Sequence, residues 1–219
     1  MNAQKLFASA CLLLMMVLRV QGQETKDPGQ LLAKAQPVAS KSLAQFRQLI
    51  TEQNYERMGF KSMQEVQSSS LGSPLQVFKV RLDELQKYTT DTNPDKLIHG
   101  GDEFLYPVLF ENQVRSSVLV ADVAGTWKAV SFGKSDSTKV ITTVRDRALP
   151  QGAAVTSRFL VQIPALNLSF IAYRAAEKLM LTPLFDDSRF NFKVEQSLPA
   201  DEVFKRILPA AKEHSGLPS

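Results

Sequence analysis

Residues 104–133, FLYPVLFENQVRSSVLVADVAGTWKAVSFG, decide the fold. Three largely apolar runs, 104–110, 113–121 and 126–133, are joined by short links around 111–113 and 122–125. Links that short close hairpins, whereas a parallel crossover needs about a dozen residues or more. The stretch therefore predicts an antiparallel meander. Its first run sets Phe104, Tyr106, Val108 and Phe110 on one face and Leu105, Pro107 and Leu109 on the other, so this strand is either central or waiting for a partner. In the third run Trp127, Ala129 and Ser131 alternate with Lys128, Val130 and Phe132. Neither face is cleanly polar, which predicts cover on both sides, with Trp127 as a core residue or as the anchor of a binding face.

Outward from this core the periodicity changes. Downstream, 137–148 places Val140, Ile141, Val144 and Ala148 on one helical face. Four further runs, 157–166, 168–176, 178–185 and 190–196, read as strands, and Pro164 and Pro183 send the first and third to edges or ends. A last helix has Pro199 near its first turn, Val203, Phe204, Ile207 and Leu208 on one face, and Pro209 to end or kink it. Upstream, Phe78, Val80 and Leu82 alternate with Lys79, Arg81 and Asp83 as in a half-solvated strand. Residues 83–88 read as a helical turn, and 89–103 as a loop rich in turn formers. Ser62 and Glu65 have capping-box spacing, and Leu43, Phe46, Leu49 and Ile50 mark an earlier helix that Gly59 would end. The order predicts an α+β fold: an antiparallel β-sheet meander with helices packed on one face, and with N-terminal and C-terminal helices. Two β-β-β-α stretches, 103–148 and 157–213, suggest an internal duplication, without a residue-level repeat to accompany them.

The first 22 residues read as an export leader. Lys5 supplies the positive start, 6–18 is an uncharged, largely apolar core, and Val20 and Gly22 stand where a signal peptidase wants small residues, which predicts cleavage before Gln23. About 13 apolar residues fall short of the roughly 20 that span a bilayer, so an uncleaved anchor is the lesser reading. Cys11 is followed rather than preceded by the apolar run, which argues against lipidation. Removing the leader takes away Lys5, Arg19 and the only cysteine. The mature chain then has 24 bases against 22 acids, a net +2 with interspersed signs, and no disulfide, thiol nucleophile or cysteine metal site. That balance is no footprint for nucleic acid, and bases do not cluster around the 13 Phe as a stacking platform would need. Residues 23–37 read as a flexible lead-in, and 38–219 as a single domain. An exported, cysteine-free chain of this size suits a periplasmic or extracellular site.

Catalytic signals are thin. Gly133, Lys134 and Ser135 match the end of a phosphate-binding loop, but Lys128 stands where its first glycine belongs. A serine hydrolase could be assembled from Ser135 with His99 or His214, HGG at 99–101 for the oxyanion and Asp186 or Asp187 as the acid. Position 137 is Ser where the strained elbow requires glycine, and hairpin links exclude the parallel sheet. His99, Asp102 and Glu103 could ligate a metal, in a spacing that matches no known signature. Absent catalytic parts, a removable leader and strands apolar on both faces instead predict an exported binding protein, with His99, Asp102, Tyr106 and Trp127 as contacts for a protein partner or a small ligand at the sheet. No metal, cofactor or nucleic acid is expected. The alternatives are the Ser135 hydrolase and a structural envelope component.

Overall fold

The structure, a computed structural model, describes residues 27–133, 135–147, 158–194 and 196–215. The expected leader, with Cys11, lies outside them. Helix α1 (Pro28–Leu49) begins well inside the stretch expected to be a flexible lead-in. Asp27 caps it by accepting from the Gly29 N–H at 3.0 Å, and Pro28 takes the first position, where its missing donor is not needed. Read alone, Asp-Pro-Gly looks like a turn, but here it is a helix start. Pro37 lies inside the helix on its exposed side. An interior proline costs about 3 kcal/mol, and burying Leu31, Leu43 and Phe46, at roughly 1.5–3 kcal/mol each, outweighs it.

The chain continues through α2 (Met63–Gln67), β1 (Ser70–Leu71), β2 (Leu75–Lys79), α3 (Leu82–Leu85), a 3-10 turn (Pro94–Leu97), β3 (His99–Phe110), β4 (Gln113–Val123), β5 (Thr126–Phe132) and α4 (Ser135–Arg147). It ends with β6 (Phe159–Ile163), a second 3-10 turn (Pro164–Leu166), β7 (Leu168–Ala175), β8 (Lys178–Pro183), β9 (Leu198–Pro199) and α5 (Ala200–Glu213). This is an α+β chain with one large, mostly antiparallel sheet. Its order is β5-β4-β3-β2-β6-β7-β8-β9, and β1 adds to β3. The meander through β3, β4 and β5 is present as expected, and β3 is central. The expected strand at 190–196 is absent. Phe190 and Phe192 belong to a tight loop that makes only an isolated bridge to Asp187. Pro209 does not end α5, because it too sits on the exposed side of its helix.

Two features depart from the expected layout. First, β2 and β6 run parallel, joining two wings that each pass four strands outward and finish in a helix. The first repeat unit expected from sequence, at 103, starts inside its wing, which begins at Leu75. Second, the helices do not share one face. Phe104, Tyr106, Val108, Val118 and Val120 pack under α1, while their strand neighbours Leu105 and Leu119 pack with Ile141 and Val144 of α4. Successive residues point to opposite faces, so α1 and α4 sandwich the sheet. The pairings Phe104 to Gln76, Gln76 to Phe159 and Phe159 to Ala172 carry the α1 face across to the second wing, where α5 covers Val161, Phe170, Ala172 and Leu181. A strand apolar on both faces, as 104–110 is, demands cover on both.

Candidate functional site

His99 opens β3 and is not in a loop. The following residues bulge: Val77 pairs with Glu103 and Phe78 with Gly100, leaving Gly101 and Asp102 unopposed. Gly100 and Gly101 have φ of 97° and 91°, and a Cβ on Gly101 would come within 2.9 Å of the Phe78 ring. Only glycine fits there. The Gln76 side chain donates to the Gly101 carbonyl at 2.7 Å and fixes the bulge. His99 Nε2 bonds the Glu84 carboxylate of α3, and Lys79 reaches Glu103 at 2.5 Å. A carboxylate that orients an imidazole is half of a base-and-nucleophile arrangement. Among the described residues no group of three His, Cys, Asp or Glu could hold a metal ion.

Ser135 lies at the other end of the sheet. It begins α4 against Gly59, close to Gly133, whose N–H bonds the Ser117 carbonyl at 3.0 Å. Ser117 pairs with Pro107, so this end is separated from His99 by most of β3, roughly 20 Å at a strand's rise per residue. His214 ends α5, where its carbonyl accepts from the Gln86 side chain at 3.3 Å. The structure does not bring Ser135 to His99. The neighbouring strands, β3 to β5, are antiparallel, unlike the sheet an esterase elbow requires.

Tyr106 is fully buried under α1, and its hydroxyl has no hydrogen-bond partner. Burial pushes its pKa up to about 12. It is a core residue. Because the hydroxyl is desolvated without compensation, Tyr106→Phe should leave stability unchanged or raise it by about 1 kcal/mol, read from the urea midpoint. A loss of that size would show the hydroxyl to be satisfied in solution. Trp127 is half-buried against Phe104, with ring centroids 5.9 Å apart. Asp102 sits on the bulge. The four grouped residues are therefore spread over the strand end, the core and the edge strand, and form no single site.

The structure exposes a different surface. Among the described residues β5 is an edge strand that pairs with β4 alone, and it is covered on one face, not two. Trp127, Ala129 and Phe132 turn toward the α1 core, where Phe132 stacks on Phe46 at 5.1 Å. Leu119 pairs with Ser131 and Val120 with Ala129, so Val130 is an unopposed bulge residue, 44% exposed. Val123, across the hairpin on β4, is also exposed. With Lys128 in solvent beside them, these side chains make a bare strip along a strand whose outer backbone groups meet no other strand among the described residues. The sequence signal was the mixed polarity of 126–132, which is equally that of a strand covered twice and of an edge covered once. No protein-family model, curated protein or solved structure matches this chain.

Proposed function

We propose that this is an exported, non-enzymatic binding protein that takes up an extended segment of a protein partner along β5. The observation that carries the reading is the edge itself: seven residues held in place by α1 on one face, with apolar Val130 and Val123 bare beside unpaired backbone groups. Backbone pairing supplies affinity in such strand addition, and exposed side chains supply selectivity. Export is supported by the leader pattern of 1–22 and would be checked by N-terminal sequencing of the secreted chain, with Gln23 as the expected first residue.

A panel of extended, apolar, strand-forming peptides tests the binding. At least one should bind the full chain and slow hydrogen exchange of the β5 amides. Val130→Lys should weaken that binding about tenfold with circular dichroism unchanged. Absence of β5 protection with every peptide would remove the reading. Self-association of the same edge in light scattering, lost in Val130→Lys, would favour an envelope component instead.

A further inference from the structure

On the wing far from β5, residues 187–192 close a tight loop. The Asp187 N–H bonds the Phe192 carbonyl at 3.1 Å, and the Phe192 N–H bonds the Asp187 carbonyl at 2.9 Å. Arg206 of α5 props the loop from beneath, donating through Nη1 to the Asn191 carbonyl at 2.8 Å and the Phe190 carbonyl at 3.4 Å, and through Nη2 to Glu202. Its guanidinium carbon lies 5.9 Å from the Phe192 ring centroid. Arg189 clasps Asp187 through Nε at 3.0 Å and Nη2 at 2.6 Å, and lies 5.0 Å from the Phe190 ring. Ser188, Arg189, Phe190, Asn191 and Arg206 line a surface depression of about 420 Å³.

Both guanidiniums are thus oriented by carboxylate partners before any ligand arrives, an arrangement that oxyanion recognition can use. Their donors are not all spent. Among the described residues, Arg189 Nη1 and Arg206 Nε meet no acceptor, and neither the Ser188 hydroxyl nor the Asn191 side-chain amide is engaged. Donors from four residues surround one depression whose nearby carboxylates, Asp187 and Glu202, already face the arginines. The complement of that surface is a group that only accepts. The volume is at the lower end of small-molecule sites.

We infer that this depression binds a small oxyanion, a phosphate or carboxylate group, with Arg189, Arg206, Asn191 and Ser188 as donors. The two acids balance the two guanidiniums, so the affinity comes from directed hydrogen bonds and lies in the millimolar range for the bare anion. The inference does not depend on strand addition at β5.

The test is a ¹H–¹⁵N titration of the full chain with sodium phosphate, and separately with sodium acetate, at constant ionic strength made up with sodium chloride. Saturable shifts at 188–191 and at the Arg189 and Arg206 side chains are expected with at least one anion, and which one saturates distinguishes the two chemistries. Arg189→Leu, at an exposed position, should weaken binding about tenfold. Asn191→Gly, which keeps the left-handed φ of 53°, should weaken it severalfold. Shifts that fail to saturate with either anion, or saturable shifts that both variants leave intact, would mean an adventitious ion only and overturn the proposal.

Discussion

Arg115→Ala should lower the stability of the fold by about 3–5 kcal/mol, the cost of leaving a buried charge without its partner. Arg115 grips Glu65 through two bonds of 2.9 Å, and both side chains are only 10% exposed. Glu65 has two further duties in α2: its N–H donates to the Ser62 hydroxyl at 3.3 Å, and its carboxylate accepts from the Lys61 N–H at 2.9 Å. Burial pushes the Glu65 carboxyl up, but the Lys61 N–H and Arg115 outweigh it and hold the pKa below its ordinary value. A carboxyl lowered in the folded state contributes stability that is present above its unfolded value, near 4.3, and lost as pH falls through the folded one. Urea midpoints from pH 7 down to 3 should therefore drop for the wild type, while Glu65→Leu combined with Arg115→Met should show a flatter profile and recover most of the single-mutant loss. A cost under 1 kcal/mol for Arg115→Ala would place the pair in solvent.

Gly59→Ala should be as damaging, at about 3 kcal/mol or more. Gly59 has φ of 93°, and a Cβ there would be driven into the Arg115 carbonyl oxygen and to within 2.9 Å of the Ser135 Cβ. Backbone strain of roughly 1–2 kcal/mol then adds to an overpacking cost of about 1–3 kcal/mol. Gly133→Ala is the control, because its φ of 97° is just as unfavourable but nothing lies within 4 Å of the added atom. It should lose only the strain. Equal losses in thermal and urea unfolding would show that contact at Gly59 plays no part.

Gly59 also shows where sequence reading stops. As a glycine it suits a helix end, yet the first helix ends at Leu49 and the glycine serves a contact with β4, more than 50 residues away. Hairpins, capping boxes and helical faces are set by neighbours in the chain, which is why β3 to β5, the Ser62–Glu65 cap and the α5 face could be read directly. Whether Tyr106 or Trp127 meets a ligand depends on what packs over it, and Asp-Pro-Gly, which suits a turn as well as a helix start, hides the first turns of α1. His99 was legible as a residue of interest, but its partner Glu84 was not, since that pairing depends on how α3 folds back against the bulge. Residues 190–196 read as a strand in sequence, with Phe190 and Phe192 alternating. The left-handed Asn191 turns both rings into the α5 core instead.

The parallel pairing of β2 with β6 has a consequence for how the chain reaches this structure. Gln76 meets Phe159 about 80 residues further along, whereas Leu75 meets Leu105 after about 30. Closing the longer loop costs about 0.9 kcal/mol more in chain entropy, and nothing repays it until both wings present formed edges. The wings should therefore assemble first from local hairpins, with the seam closing late, after the rate-limiting step. Substitutions at Val77 or Leu160, which face each other across that seam, should speed unfolding more than they slow folding.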